Sequence, residues 1–193
     1  MYDWIISDTH FNHVNIVEYS GRPVNHNELM QQNWRKLVRP EDTVLHLGDV
    51  LMGRQDLWPS MPGWLPGKVT VIEGNHDHEH KLRFMHKEWG WEIMARLGVD
   101  ISAGPAIIEM DYRGYNIIFT HEPFMAYQDP KSGNNTDLIY TRLPEKTINV
   151  HGHIHEKETG DLQRINVSVE RISYQPVRLQ QLLDARINLL EKL

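Results

Sequence analysis

Val69-Thr70-Val71-Ile72-Glu73-Gly74-Asn75-His76-Asp77 is the stretch from which the fold can be read. Its β-branched run reads as a buried strand. The Gly-Asn-His-Asp that follows sets polar side chains at the strand's carboxyl end, the edge at which open α/β sheets bind ligands. Taken by itself, Gly74-Asn75-His76-Asp77 reads equally well as a polar turn. Its weight comes from four other strand ends that deliver the same kinds of side chain.

Upstream, residues 2–7 read as a strand ending in Asp8-Thr9-His10, and a polar loop follows with Asn15 and Gly21-Arg22-Pro23. Asn25 and Glu28 have capping-box spacing. Leu29, Met30, Trp34, Leu37 and Val38 then share one helical face, and Pro40 ends that helix. Residues 43–47 are a second strand, ending in Gly48-Asp49. Residues 57–67 read as irregular. Residues 79–89 read as a helix, with His78, His80 and His86 in or beside it as surface residues.

Downstream, residues 106–110 and 115–119 form a hairpin about Asp111-Tyr112-Arg113-Gly114, and its second strand runs into Thr120-His121. Residues 126–137 are a polar surface loop. Residues 147–150 are a strand that ends in His151-Gly152-His153-Ile154-His155. Residues 162–169 and 172–177 suggest two more strands. Leu179, Leu182, Leu183, Leu190 and Leu193 recur at helical spacing, so an amphipathic helix closes the chain. The six Trp, at 4, 34, 58, 64, 89 and 91, are expected in the core, as are the Met residues.

At 193 residues the chain is expected to be one domain, 1–193, with room for a full core. It has no Cys, so any metal site must use N and O ligands. No apolar run is long enough to span a bilayer, and Met1-Tyr2-Asp3-Trp4 has no basic lead into an apolar segment. The expectation is a cytoplasmic protein with no membrane partner. A formal charge of −6 argues against a broad basic surface for duplex nucleic acid. It leaves a phosphate substrate open, because bound cations can reverse the sign of a site.

Five strand ends thus carry Asp8/His10, Asp49, Asn75/His76, His121 and His153/His155. Carboxylate, imidazole and amide oxygen together suit Mn, Fe, Co, Ni or Zn. Asp8 and His10 lie two apart, and so do His153 and His155; in extended backbone each pair points one way. With His76 set aside, the seven side chains are too many for one tetrahedral site. They suit two ions that share a carboxylate. His46 and His151, each two residues short of a block, are expected in the core or in support of the ligands.

The blocks Asp8-Thr9-His10, Gly48-Asp49, Gly74-Asn75-His76-Asp77, His121 and Gly152-His153-Ile154-His155 closely resemble, in order, those of the calcineurin-like metallophosphoesterase superfamily. The runs 7–11 with Asn15, and 166–170, further resemble its small bacterial and phage-type members. The resemblance implies an α/β fold: two mixed β-sheets packed as a sandwich and flanked by helices, with a dinuclear metal site at the strand carboxyl ends. It implies that Asp8, His10 and His155 hold one divalent ion and that Asn75, His121 and His153 hold the other. Asp49 bridges the two, and His76 is the catalytic proton donor. A bridging hydroxide would attack a phosphoester, with a phosphodiester ahead of a monoester. A cyclic nucleotide or a nucleic-acid end would be a compact substrate, and Asn15 and Arg22 are candidates to bind it. Two alternatives are a non-catalytic metal-binding scaffold on the same fold and a nuclease subunit of a larger complex. Protein Ser/Thr phosphatases of the superfamily carry a second Asp three residues after the one in Gly-Asp. Met52 stands there, which argues against that branch and leaves Asp77 or a backbone carbonyl to steady His76.

Overall fold

The computed structural model describes residues 1–52, 65–77, 107–126, 139–140 and 143–192. The expected helix at 79–89, most of the 57–67 and 126–137 loops, and Trp58, Trp64, Trp89 and Trp91 lie outside them.

Alternation of apolar side chains builds the first sheet. β1 (Trp4–Ile6), β2 (Thr43–His46) and β3 (Lys68–Val71) run parallel in the order β1-β2-β3. Trp4, Ile6, Val44 and Val69 turn to one face, where they meet Met30 and Trp34. Ile5 and Leu45 turn to the other, where they meet Ile117, Phe119, Ile148 and Val150 of the second sheet. Both faces are therefore buried, as parallel strands require. The expected core role of Trp4 and Trp34 is met. Each also places its indole N–H, Trp4 on Asp42 Oδ2 and Trp34 on the Pro66 carbonyl, both at 2.8 Å.

The second sheet holds β4 (Ile107–Tyr112), β5 (Tyr115–Thr120), β8 (Thr147–His151) and β9 (Arg164–Asn166), in that order. β4 and β5 are antiparallel; β5, β8 and β9 are parallel. A small pair, β6 (Met125–Ala126) and β7 (Ile139–Tyr140), stands apart. β10 (Val177–Arg178) adds antiparallel to β1. The helices are α1 (Ile16–Tyr19), α2 (His26–Leu37) and α3 (Leu179–Leu190). The expected sandwich of two mixed sheets with flanking helices is what forms. Among the described residues, no helix is long and apolar enough to cross a membrane.

Local expectations needed correction in four places. The hairpin turn is two residues, Arg113 and Gly114, both at positive φ (52° and 77°), so Asp111 and Tyr112 stay in the ladder. Asn25 makes no side-chain cap; the Pro23 carbonyl takes the His26 N–H instead and closes the helix entry as a turn. The 162–169 run pairs as a strand only at 164–166, with a further bridge from Ser168 to Ser7. The 172–177 run is mostly turn, with Ser173 and Tyr174 left-handed, and pairs only from Val177.

Three glycines decide how closely the strand ends can approach, Gly48 and Gly74 within the first sheet and Gly152 across the two sheets. A Cβ on Gly74 would sit 2.5 Å from the Asp49 nitrogen, and one on Gly48 2.5 Å from the Gly74 nitrogen. A Cβ on Gly152 would overlap Ser7 Oγ and Asp8 Oδ2, across the two sheets. Gly114, left-handed but open, has nothing within 4 Å of its Cβ position. Gly152→Ala should therefore lower the melting temperature more than Gly114→Ala. Backbone strain limits the latter to about 1–2 kcal/mol, while the former adds an overpacking cost of about 1–3 kcal/mol.

Candidate metal centre

The five strand ends converge. Main-chain bonds lace them together beyond the strands: Asp8 N to Gly48 O (3.0 Å), His10 N to Asp49 O (2.9 Å), Gly152 N to His121 O (2.9 Å) and Ser7 N to Val167 O (3.0 Å). The pairs do not point together through extended backbone, however. β1 stops at Ile6 and β8 at His151. Asp8, His10, Asp49, His153 and His155 are all left-handed, with φ of 57°, 43°, 56°, 69° and 50°. Asp and His are among the side chains that tolerate this region best. At three of the five strand ends, those after β1, β2 and β8, the ligand-bearing residues thus turn the chain out of the extended path.

Two groups of side chains place their donor atoms within 4.8 Å of one another: Asp8, His10 and His155, and Asp8, Asp49 and His121. Asp49 Oδ2 lies 3.4 Å from His10 Nε2 and 3.4 Å from His121 Nε2, midway between the two. Asn75 Oδ1 lies 2.9 Å from His121 Nε2 and 3.0 Å from His153 Nδ1. All seven residues expected as ligands are therefore at one place. Asp8 reaches into both groups, so proximity singles out Asp8 as well as Asp49 as a shared carboxylate.

The donor atoms are turned inward by what holds their other ends. Asp8 Oδ2 accepts the His153 N–H at 2.9 Å and lies 2.9 Å from the Ser168 hydroxyl. Asp8 Oδ1 and both His10 nitrogens are buried with no hydrogen-bond partner. Burial holds the His10 ring neutral, its pKa down to about 2 despite the pull of Asp49. His121 donates Nδ1–H to the Leu47 carbonyl at 2.7 Å, which leaves Nε2 facing Asp49. Burial by itself would lower its pKa, but the Asp49 carboxylate beside it raises it to about 9. Burial would likewise raise Asp49, yet His121, His10 and the His76 N–H hold it well below the usual carboxylate range. Buried, unpartnered oxygen and imidazole nitrogen facing one point fit a divalent cation, and the donor set suits the metals named above.

His46 and His151 are buried, as expected. His46 Nδ1 accepts the Gly48 N–H at 3.1 Å, so Nε2–H donates to Thr9 Oγ1 at 3.0 Å. Thr9 passes its own hydrogen to the Val50 carbonyl at 2.9 Å. This neutral chain fixes Thr9 between Asp8 and His10. Asp77 is engaged by main-chain N–H groups. Its Oδ2 accepts from Asp49 N (2.5 Å) and Gly74 N (2.9 Å), and its Oδ1 from Val50 N (3.0 Å). The His76 backbone N–H is anchored on Asp49 Oδ1 at 2.8 Å, and its ring lies edge-on to His10 at 5.5 Å. Met52, half-buried, gives its N–H to the Phe11 carbonyl.

Arg22 must be corrected as a substrate-binding candidate. It is 2% exposed, and its guanidinium is committed to Glu170 Oε1 (2.7 Å) and to the carbonyls of Asp8 (2.6 Å) and Thr9 (2.9 Å). Asn15 stands exposed at the start of α1. Glu170, which also accepts from His155 Nδ1 at 2.9 Å, is a site residue that motif reading passes over. The signal for it lay in the 166–170 run, where Asn166, Ser168 and Glu170 face the ligands in turn.

A family model described as "Calcineurin-like phosphoesterase superfamily domain" matches residues 1–169. An uncharacterized protein of Methanocaldococcus jannaschii, MJ1445, is 29% identical over 98% of this chain and 91% of its own length. The Gene 66 protein of Mycobacterium phage D29 is 26% identical over 80% of this chain and 78% of its own. A crystal structure of AQ665, a protein of unknown function from Aquifex aeolicus, superposes with a TM-score of 0.64 at 24% identity. It covers 94% of this chain and 97% of that one, and shares the fold.

Two outcomes follow from the buried charges. Arg22→Ala strands Glu170 and should destabilise the protein by about 3–5 kcal/mol, read as a drop in denaturation midpoint. The raised pKa of His121 gives the metal-free protein stability that is fully present below pH 6.5 and lost as pH rises through about 9. A cation must displace that proton, so metal affinity should climb over the same interval while the metal-free melting temperature falls. Calorimetry at several pH values reads both.

Proposed function

The chain belongs to the calcineurin-like phosphoesterase superfamily, and from that premise we propose that it hydrolyses a phosphodiester at the Asp8–His155 cluster. The observation that carries the reading is the carboxylate of Asp49, set 3.4 Å from two imidazole nitrogens that come from different sheets. Asp8, His10 and His155 would hold one divalent ion and Asn75, His121 and His153 a second, with Asp49 between them. When bound, such ions supply charge against phosphoryl oxygens and acidify a water.

The protein's own part is positioning. The backbone lacing and the left-handed turns hold seven donors at one point, so little reorganisation accompanies binding. His76, half-buried with its ring 5.5 Å from that of His10, would hand a proton to a departing alkoxide. His13 also lies edge-on to His10, with ring centroids 5.6 Å apart.

The preference for a diester rests on charge. Arg22, whose charge bears on His10, His13 and His155, is turned onto carbonyls and Glu170. It is not offered to a phosphate. A monoanionic diester asks for less neutralisation than a dianionic monoester. Met52 in place of an acidic residue speaks against a protein phosphatase. Manganese is the metal to try first, and the substrate is a small phosphate ester, a cyclic nucleotide or a nucleic-acid end.

The test is a panel of bis-aryl phosphodiester, aryl monoester and 2′,3′- and 3′,5′-cyclic nucleotides with several divalent metals. Turnover of the diester should exceed that of the monoester; no turnover of any of them with any metal would overturn the reading. His76→Ala should retain the wild-type metal content and lose about 10²–10⁴-fold in rate. Asp49→Ala should lose metal, and full dinuclear loading of that variant would sink the bridging assignment.

A further inference from the structure

We propose that Glu170 is a positioning residue that strengthens metal binding at the Asp8–His10–His155 half of the cluster, so that this half loads before the Asn75–His121–His153 half. The inference rests on the metal-holding reading above.

One carboxylate oxygen does the work. Glu170 Oε1 lies 2.9 Å from His155 Nδ1 and 2.7 Å from both Nε and an outer nitrogen of Arg22. An ionised acceptor at Nδ1 places the ring hydrogen there and turns the Nε2 lone pair toward Asp8 and His10. Arg22, in turn, holds the carbonyl of Asp8 at 2.6 Å and that of Thr9, the peptide that leads into His10, at 2.9 Å. Glu170 therefore reaches all three members of this half, one through its ring and two through their backbone. Both partners are enclosed, with side-chain exposure of 0% for Arg22 and 5% for Glu170. Water does not compete for the pair.

The other half is built differently. His121 rests its Nδ1–H on a neutral carbonyl, that of Leu47. His153 turns Nδ1 itself toward Asn75 Oδ1. A carboxylate behind a ligating imidazole raises its basicity more than a carbonyl does, and loss of such a partner typically costs about 10–100-fold in metal affinity. The asymmetry is written into the acceptors and should appear as two steps of binding.

The experiment is a Mn²⁺ titration of the chelator-treated full chain by calorimetry, with metal content counted independently. The wild type should bind two ions in resolved steps. Glu170→Gln should weaken the tighter step about 10–100-fold and leave the weaker step in place. His155→Ala should abolish the same step, and His153→Ala the other one. If Glu170→Gln gives no cooperative melting, the double variant Arg22→Met/Glu170→Gln, which removes the buried pair as a unit, is read in the same way. Two wild-type steps with Glu170→Gln affinities unchanged would overturn this inference alone, even if the variant melts lower. So would a variant that loses the step assigned to His153. A wild type that takes up no Mn²⁺ overturns the metal reading and this inference with it.

Discussion

Everything at the centre hangs on one carboxylate that never touches it. Asp77 gathers three main-chain N–H groups, those of Asp49, Val50 and Gly74, from the ends of two adjacent strands. Parallel strands diverge when their ladder stops, and the peptide groups beyond would otherwise be left without acceptors in a buried place. With those groups tied, Asp49 turns Oδ2 toward the imidazoles while its Oδ1 takes the His76 N–H. Gly74 is held so close that a side chain there would strike the Asp49 nitrogen. The Gly-Asn-His-Asp tetrapeptide is thus a turn whose last residue closes it, whose second and third face the centre, and whose first permits the contact.

Around this latch lies a shell of polar groups that fixes direction. His46, Thr9 and the Val50 carbonyl form a neutral chain between the first two strands. Ser168 and the His153 N–H restrain one oxygen of Asp8 from the second sheet. Burial costs each of these groups its water, and the hydrogen bonds return most of that loss. Asp8 Oδ1 and His10 Nε2 stay unsatisfied, and they lie 4.0 Å apart at the centre. Without a cation, protonated His121 balances Asp49 there.

The five blocks were legible because each chemistry-bearing residue stands directly after an apolar strand. Trp34 and Leu183 betrayed the helices because burial on one face imposes a period. Other features left weaker traces. Arg22 reads as a phosphate binder from sequence, since nothing local reveals that Glu170, far along the chain, will take its guanidinium. The left-handed turns at Asp8 and His10 are invisible to a rule that assumes the strand continues. The 172–177 run reads as a strand, yet it bends at left-handed Ser173 and Tyr174, where the Tyr174 N–H closes on the Val169 carbonyl, and only Val177 and Arg178 join β1. Asp77 reads as a support for its neighbour His76, but its partners are backbone groups, which carry no signature in the residue letters.

The ties that close the centre also span nearly the whole chain. His153 reaches Asp8 across 145 residues, Glu170 reaches Arg22 across 148, and Ser168 reaches Asp8 across 160. Contacts of such separation bear the full entropy of loop closure and form late in folding. A ribosome that has released only β1, β2 and β3 has made Asp8, His10, Asp49 and Asn75 without the partners that aim them. During synthesis those side chains are scattered donors, and the cluster that could hold a cation comes together only when the second sheet docks. The candidate metal centre is thereby complete only in a chain whose two sheets have met.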